Sequence, residues 1–419
     1  MNKEISKECT HDCATCSSAC LSKFMNTEVV TKSDLYEDGA VRTEDSGKAA
    51  LESCVLAIDL GTTTIAMQLI GRASRRIYDT YTCLNPQLKY GADVISRVAA
   101  AKEHAAELQD IVMSTIAGGI RTLLAGRVPG EHVMPGAGGP LEAATPGKEE
   151  SATSEAGLAG LSEDMVYITL AGNTVMTHLL LGLDTSGLGE APFWPASLEA
   201  SEVEIAGYRV HTLPMISAFV GGDIYAGLLA SKPAPGEMLV DLGTNGEIAL
   251  RSNRRLYVTA TAAGPAFARP GDMLMGSDRI TLLSDMIRRG QIDCSGFLVE
   301  EEDSALTQQD IRELMLGKAA IAAGIEVLCK ENGMVDITKV YLSGGFGYRL
   351  SPKAAVNIGL LPKETEGRIQ TIGNSSLYGA YLYGLGERLP DYGEIVTINL
   401  ATRDEFTGSF YKHMTFTEH

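Results

Sequence analysis

The alternation of apolar and polar positions divides this chain into a folded body and three polar segments. Residues 1–25 carry four closely spaced cysteines, and residues 26–52 are polar and acid-rich without a hydrophobic period, which is typical of a linker. Residues 126–163 turn to glycine, proline, alanine, serine and glutamate, and this composition predicts a flexible insertion within a domain. Elsewhere, from residue 53 to the C-terminus, short β-rich runs alternate with helical ones. That alternation predicts an α/β protein.

The uncharged stretch Val166–Leu183 is long enough to be considered as a membrane span. Gly172, Asn173, Thr174 and His178 interrupt it, so the better interpretation is a buried strand followed by a buried helix. The N-terminal sequence, MNKEISKECTHDC, has no apolar run after its first lysine residues and does not resemble a secretory signal. We therefore expect a cytoplasmic protein that does not bind a membrane.

An internal repeat is the most informative feature of the sequence. VLAIDLGTTTIAM spans residues 55–67 and MLVDLGTNGEIAL spans residues 238–250, so Asp-Leu-Gly-Thr begins at Asp59 and again at Asp241. Each copy predicts an apolar strand, a turn of small residues and a second strand, which together form a hairpin. Two such units far apart in the chain indicate a duplicated domain. We predict a first lobe over residues 53–230 and a second lobe over residues 231–419.

The turns of this repeat have the chemistry of a phosphate site. A glycine lets the backbone approach a ligand closely, and the residues beside it offer N–H donors and hydroxyl groups to phosphate oxygens. The preceding carboxylates, Asp59 and Asp241, stand where they could hold Mg²⁺ through water. A single turn of this kind is common in ordinary hairpins, whereas two turns that face each other would form a clamp. The turn residues are Gly61, Thr62 and Thr63 in the first copy and Gly243, Thr244 and Asn245 in the second.

Two further segments place glycine beside a polar group. AFVGGDIYAGLLA, at residues 218–230, predicts a strand that leads into a helix with Asp223 at the helix N-terminus, where a carboxylate is either a simple cap or faces water or a metal ion. VYLSGGFG, at residues 340–347, predicts a strand that runs into a diglycine turn at Gly344 and Gly345, against which a base or ribose can lie. The chain has neither a dinucleotide-binding fingerprint nor a phosphate-loop lysine motif, which disfavours the two common nucleotide folds.

Composition narrows the class of ligand. The 419 residues suffice for two or three domains, and the apolar and charged fractions of 45% and 21% are those of a globular protein. A formal net charge of −18 excludes a basic stripe for nucleic acid. The 45 glycines and single tryptophan suit main-chain recognition of small anions better than aromatic stacking.

The four motifs resemble those of the actin-like ATPase superfamily, in the same order along the chain. Asp59–Thr62 corresponds to the first phosphate motif, Gly222-Asp223 to the connecting motif, Asp241–Thr244 to the second phosphate motif and residues 343–347 to the adenosine motif. The superfamily includes sugar kinases, heat-shock chaperone ATPases and actin. The resemblance implies two ribonuclease-H-like lobes with ATP in the cleft between them.

Further segments are similar to one narrower family, the ATPase domain of the reductive activators of corrinoid proteins. They are GNTVMTHLLLGL at residues 172–183, AGPAF at 263–267, GKAAIAAGI at 317–325, IGLLP at 358–362 and GNSSLYGA at 373–380. The resemblance implies an enzyme that couples ATP hydrolysis to the one-electron reduction of a Co(II) corrinoid to Co(I). Its partners would be the corrinoid protein of a methyltransferase system and a low-potential electron donor. The oligomeric state stays open, with a homodimer as one candidate.

The chain departs from this family in two places. Ala268-Arg269-Pro270 stands where an acidic residue and a longer loop are expected. Family members also carry a plant-type ferredoxin domain at the N-terminus, and we expect the four-cysteine segment to stand in its place.

The four cysteines have the spacing C-x3-C-x2-C-x3-C, at Cys9, Cys13, Cys16 and Cys20. On a regular helix they would extend over about 16 Å, too far for one centre, so a metal site here needs a loop that wraps around the metal. The spacing is compatible with a [4Fe–4S] cluster or with structural zinc. The redox role of the family favours the iron–sulfur cluster, with zinc and uncoordinated thiols as alternatives.

The resemblance also suggests roles for individual residues. Asp59 and Asp241 would organise Mg²⁺, Asp223 would orient or deprotonate the attacking water, and the two turns would hold the β- and γ-phosphates. Gly344 and Gly345 would receive the adenosine. Lys318, predicted at the start of a helix of small residues, is either a nucleotide contact or a surface charge, and His178 is predicted to be a core residue.

Three other functions remain open at this stage. A small-molecule kinase of the same superfamily would transfer phosphate to a substrate near Asp223. An ATP-dependent activator of another iron–sulfur enzyme would use the same ATPase chemistry. A metal-binding scaffold that uses ATP only as a conformational ligand would turn over slowly.

Overall fold

The computed structural model describes residues 52–124, 165–261, 263, 276–299, 304–333, 336–347 and 349–416. Cys9, Cys13, Cys16 and Cys20, the predicted linker and the predicted insertion lie outside the described residues, as does the segment Ala268-Arg269-Pro270. Within the described ranges, no helix is long and apolar enough to cross a membrane.

The first sheet has six strands in the order β3-β2-β1-β4-β6-β5. The strands are β1 (Cys54–Leu60), β2 (Thr64–Gly71), β3 (Ile77–Leu84), β4 (Val166–Gly172), β5 (Glu202–Ile205) and β6 (Tyr208–Thr212). The helices of this part of the chain are α1 (Val94–Leu124), α2 (Thr174–Leu181) and α3 (Gly222–Ser231). β1 is antiparallel to β2 and parallel to β4, so the predicted first hairpin is confirmed. The stretch Val166–Leu183 is the strand β4 followed by the helix α2, as predicted.

The second sheet repeats this arrangement in the order β11-β10-β7-β8-β9-β12. The strands are β7 (Glu237–Leu242), β8 (Gly246–Arg251), β9 (Arg255–Thr261), β10 (Lys339–Ser343), β11 (Ile369–Gly373) and β12 (Glu394–Thr397). The helices are α4 (Gly276–Arg288), α5 (Gln308–Glu331), α6 (Gly344–Gly347), α7 (Pro352–Asn357), α8 (Ser375–Gly384) and α9 (Asp404–Lys412). β7 pairs with β8 antiparallel and with β10 parallel, which matches β1 with β2 and β4. The duplicated, two-lobed α/β fold is therefore confirmed.

The two helices α3 and α8 lie between the sheets. Alternate residues of β1 face opposite sides of the first sheet: Leu56 and Ile58 pack with α1 and α2, while Val55 and Ala57 pack with α3 and α8. Another face of α3, which includes Ile224, packs against the second sheet. One apolar layer therefore joins the two lobes through these helices.

Glycine permits the close approach of α3 and α8. A Cβ atom at Gly379 of α8 would lie 2.0 Å from the carbonyl oxygen of Ala226 on α3, a distance that no side chain tolerates. Because the helices touch through their backbones, their N-terminal ends are held at the same cleft between the sheets.

Two local predictions are wrong. The strand predicted before Asp223 is absent, because the N–H groups of Ile216 and Ser217 both donate to the carbonyl oxygen of Val220 and form a turn. Lys318 does not begin a helix: α5 begins ten residues earlier, at Gln308, where Thr307 forms a capping box with Asp310.

Candidate active site

The two turns of the repeat meet in the cleft. The hydroxyl oxygens of Thr63 and Thr244 are 2.7 Å apart and share a hydrogen bond, although the residues lie in different lobes. The structure thus brings together two turns that the sequence shows only as copies of one motif. Hydroxyl and N–H groups on both sides of this contact can bind the oxygens of one anion.

Asp59, at the end of β1, is held by the opposite lobe. Its Oδ2 accepts a hydrogen bond of 2.8 Å from Asn374 Nδ2, and its Oδ1 accepts one of 2.9 Å from Ser376 Oγ. Both donors belong to the N-terminal end of α8. Burial raises the pKa of Asp59 above its ordinary value, and the two hydrogen bonds only partly offset this effect.

Asp241 is the corresponding residue at the end of β7. Its Oδ2 accepts a hydrogen bond of 2.6 Å from Ser343 Oγ, on the neighbouring strand β10. Burial, followed by the charge of Asp59, raises the pKa of Asp241 to about 6. Gly344 follows Ser343 with a φ of +90°, and a Cβ atom there would lie 2.6 Å from Asp241 Oδ1. Only glycine allows this backbone to lie against the carboxylate.

Asp223 lies in the first turn of α3, as predicted, and its side chain faces the same group of acids. Burial raises its pKa, and the charges of Asp241 and Asp59 raise it further. Its Oδ1 accepts a hydrogen bond of 2.8 Å from the N–H of Ile224, the next residue in the chain. The three predicted carboxylates therefore converge from β1, α3 and β7.

Glu247 is a fourth carboxylate, which the sequence analysis missed. It lies on β8 directly opposite Asp241, and it is only 5% exposed. Burial raises the pKa of Glu247 well above its ordinary value, and the charges of Asp223 and Asp241 add to the shift. The register of the DLGTNGE hairpin could have revealed it, because directly opposed residues of an antiparallel pair lie on one face.

Residues outside the first hairpin donate hydrogen bonds to the carbonyl groups of its turn. Asn85 Nδ2 donates to the carbonyl oxygen of Gly61, and the N–H of Asn85 donates to that of Thr63. Arg97 Nη2 donates to the carbonyl oxygen of Thr62 over 2.5 Å. Three consecutive carbonyl groups of this turn are therefore bound on one side.

The remaining predicted residues differ in their surroundings. Among the described residues, a Cβ atom at Gly345 would meet nothing within 4 Å, so the described structure leaves space beside this glycine. Lys318 is 2% exposed, so the surface-charge interpretation is wrong; its Nζ donates to the carbonyl oxygen of Thr415 over 2.7 Å. Burial lowers the pKa of Lys318 to about 8. The contacts of Lys318 are thus with the C-terminal segment and not with the four carboxylates.

The predicted core residue His178 is confirmed. Its side chain is fully buried, its Nδ1 bonds to the carbonyl oxygen of Thr174 over 2.8 Å, and its Nε2 accepts from the N–H of Ser197. Asn173 caps α2, since its side chain accepts from the N–H of Val175.

The chemistry of the cleft suits a hydrated cation beside an anion. In the described part of the chain, no three histidine, cysteine or acidic side chains are arranged to ligate a metal ion directly. Mg²⁺, however, keeps several water ligands and binds through one or two carboxylates together with phosphate oxygens. Asp59 and Asp241 fit this requirement because each is a half-buried acceptor that forms no ion pair with a basic side chain in the described residues.

Comparison with known proteins agrees with the duplicated fold. Residues 54–134 and 151–233 match the RACo middle region, and residues 236–278 and 282–419 match the C-terminal domain of RACo, which is described as the ASKHA domain. The chain belongs to the RACo family. Its resemblance to the actin-like superfamily is therefore confirmed at the level of family and fold.

Two known proteins are similar to most of this chain. The corrinoid activation enzyme RamQ of Eubacterium limosum is 26% identical over 451 residues, which cover 86% of this chain and 70% of RamQ. The solved structure of a reductive activator for a corrinoid, iron–sulfur protein is 27% identical, with a TM-score of 0.70 over 89% of this chain and 67% of that one.

Proposed function

We propose that this protein is an ATP-dependent reductive activator that couples ATP hydrolysis to the one-electron reduction of a Co(II) corrinoid protein to Co(I). The observation that carries the proposal is the contact between Thr63 and Thr244, beside the buried Glu247 and three half-buried aspartates, in a chain of the RACo family. The names of the two relatives, a corrinoid activation enzyme and a reductive activator, support the choice of substrate.

The residues of the cleft would share the work of phosphoryl transfer. Asp59 and Asp241 would hold the water ligands of Mg²⁺, which supplies charge neutralisation to the phosphates. The turns 61–63 and 243–245 would hold the β- and γ-phosphates. Asp223 would orient the attacking water and take up its proton, since burial and neighbouring acids give it the raised pKa of a general base.

The adenosine would lie beside Gly344 and Gly345, where the structure leaves space next to the backbone. The amino group of Lys318 is bound to the carbonyl oxygen of Thr415, and we therefore assign it no contact with the adenosine.

ATP is needed because the electron must move from the donor to an acceptor of lower reduction potential. For one electron, each ~59 mV that the acceptor lies below the donor corresponds to a tenfold unfavourable ratio. A contact between the lobes links this requirement to the nucleotide: Asp59 of the first lobe accepts hydrogen bonds from Asn374 and Ser376 of the second. A change in charge beside Asp59 would therefore alter the population of lobe arrangements that bind the corrinoid partner.

The electron would enter through the N-terminal segment. We propose that Cys9, Cys13, Cys16 and Cys20 hold a [4Fe–4S] cluster, with zinc as the alternative. Measurement of iron, zinc and acid-labile sulfide in anaerobically purified protein decides between the two metals. Zinc, or the absence of metal, would make the electron-relay part of the proposal wrong and leave the ATPase part standing.

The function is tested by mixing the full chain with corrinoid proteins of methyltransferase systems in the Co(II) state, together with a low-potential reductant. We expect Co(I), followed by its absorption spectrum, to form only when ATP and Mg²⁺ are present, with release of inorganic phosphate. Co(I) formation that does not depend on ATP contradicts the proposal. Transfer of phosphate to a small molecule without its release would favour a kinase instead.

A further inference from the structure

Arg97, on α1, is the largest fully buried side chain in the described residues. Its guanidinium group binds only neutral acceptors, and no described carboxylate forms an ion pair with it. The acceptors are the carbonyl oxygens of Thr62 and Gly91, the amide oxygen of Gln87 and the sulfur of Met176.

This position is unfavourable for a cation. Burial without a paired acid costs free energy, and Arg97 lies in the first turn of α1, where the helix dipole also disfavours positive charge. Burial lowers the pKa of Arg97 to about 10, so the group still carries its charge at neutral pH. The charge of Asp93 offsets part of the cost of burial, and an anion bound near Arg97 would offset more of it.

The geometry of the first turn indicates where that anion lies. The C=O and N–H groups of a trans peptide point in opposite directions. Because Asn85 and Arg97 bind the carbonyl oxygens of Gly61 and Thr62, the N–H groups of Thr62 and Thr63 point away from them. In the described residues these two N–H groups have no acceptor, and the hydroxyl of Thr63 reaches the opposite turn.

We propose that Arg97 is a positioning residue for the phosphate groups of ATP. It holds the peptide between Thr62 and Thr63 so that the Thr63 N–H faces the phosphates, and its buried charge attracts them from behind the turn. The hydrogen bond to the Thr62 carbonyl also polarises the peptide and strengthens the Thr63 N–H as a donor. This inference rests on the proposed function, which supplies ATP as the ligand.

Calorimetric titration of the full chain with two ligands tests the inference. The non-hydrolysable analogue AMP-PNP, with Mg²⁺, uses the phosphate turns, whereas adenosine uses only the diglycine segment. We expect Arg97→Gln to weaken AMP-PNP binding by about tenfold or more, the usual cost of a lost charge-assisted hydrogen bond, and to change adenosine binding by less than about twofold. Arg97→Lys keeps the positive charge but lacks the planar guanidinium group, so it should recover part of the affinity for AMP-PNP.

Ile116→Ala is the matched control for general destabilisation, because Ile116 is fully buried on the same helix but far from the turn. It should lower the melting temperature and leave the ratio of the two affinities unchanged. If Arg97→Gln weakens both ligands equally, or leaves AMP-PNP binding unchanged, the positioning role is wrong.

A measurement on the unmodified protein covers the case in which the Arg97 variants do not fold. Hydrogen–deuterium exchange of the peptide that contains Thr62 and Thr63 should slow when AMP-PNP binds and stay unchanged with adenosine. Unchanged exchange with AMP-PNP bound overturns the inference. If the unmodified protein binds no AMP-PNP at all, the proposed function fails instead.

Discussion

The two turns of the repeat carry the same four residues, Asp-Leu-Gly-Thr, but different structures support them. Asn85 and Arg97 hold the first turn by its carbonyl groups. The second turn is supported at its aspartate, where Ser343 donates to Asp241 and the backbone of Gly344 packs against it. The turns themselves also differ in length, because four residues separate the paired Leu60 and Ile65 and three separate the paired Leu242 and Gly246. The buried guanidinium group of Arg97 lies against the first turn. The second turn lies beside Gly344 and the space next to Gly345.

The same divergence is visible in the strand registers. Asp59 stands opposite Ala66 on β2, whereas Asp241 stands opposite Glu247 on β8. The second residue of α3 is Asp223, which carries a carboxyl group. The second residue of α8 is Ser376, which carries a hydroxyl group. Each lobe thus contributes different chemistry at equivalent positions. The difference teaches that a symmetric scaffold can bind an asymmetric substrate when a few equivalent positions carry different side chains.

The test with the largest expected effect replaces Asp223, the acidic residue in the first turn of α3. Asp223→Asn should lower ATP hydrolysis by about 10²- to 10⁴-fold, the usual contribution of a general base, while AMP-PNP still binds. Release of inorganic phosphate under saturating ATP measures the effect. Ser376→Ala, at the equivalent position of α8, should cost far less because it removes only one of two donors to Asp59. Equal losses in the two variants would contradict the assignment of the base to α3.

The second test concerns the crossing of the helices that join the lobes. Gly379→Ala places a methyl group against the carbonyl oxygen of Ala226, and backbone cannot yield as a side chain can. We expect a loss of unfolding free energy of about 3 kcal/mol, at the upper end of the usual cost of overpacking. Urea denaturation measures it.

Gly408→Ala is the matched control for this test, because Gly408 lies in α9 with nothing within 4 Å of its added Cβ. It should stabilise the protein by about 0.5–1 kcal/mol, since alanine loses less conformational freedom in a helix. Two substitutions of the same kind would then have opposite signs. Unchanged or increased stability of Gly379→Ala contradicts the close crossing.

The third test concerns the raised pKa of Asp241 and its effect on stability. The folded-state pKa of Asp241 is raised to about 6, so the folded protein holds its proton more tightly than the unfolded chain does. The contribution of Asp241 to the stability of the nucleotide-free protein should therefore fall as pH rises from about 4 to 6, and its full penalty should be present above pH 6. Asp241→Asn should remove this contribution and raise the melting temperature at pH 7.5, while it lowers ATP hydrolysis.

Asp110→Asn makes the same chemical change at an exposed position of α1. Its melting curve should show the pH dependence of the unmodified protein. If the difference in melting temperature between the unmodified protein and Asp241→Asn stays constant from pH 4 to 6, the raised pKa of Asp241 is wrong.

The smallest expected effect is that of the contact between the turns. A double-mutant cycle with Thr63→Val and Thr244→Val should give a coupling of about 0.5–1.5 kcal/mol in the nucleotide-free protein, the net worth of one hydrogen bond. Strictly additive effects would mean that the two turns do not touch in solution.

The sequence predicted the duplicated hairpins because a strand ending in Asp-Leu-Gly-Thr has a short-range pattern, set by apolar positions and a turn of small residues. It missed Glu247 and Arg97 because nothing in the local pattern separates them from surface charges. Asp223 was placed on a helix N-terminus correctly, but the strand expected before it is a turn, since a run of apolar residues does not by itself distinguish extended chain from a buried bend.

The sequence by itself determined the fold class, the repeat and the identity of the turns that face the cleft, since these depend on residue type and on contacts between near neighbours. Only the tertiary structure decided which charges come together. Asn374 and Ser376 donate hydrogen bonds to Asp59, and Arg97 donates one to the carbonyl oxygen of Thr62. In each case the partners lie far apart in the sequence, so no local pattern predicts the contact. The physical reason is that the packing of α3, α8 and the two sheets sets these distances, and burial then sets the charge of each group.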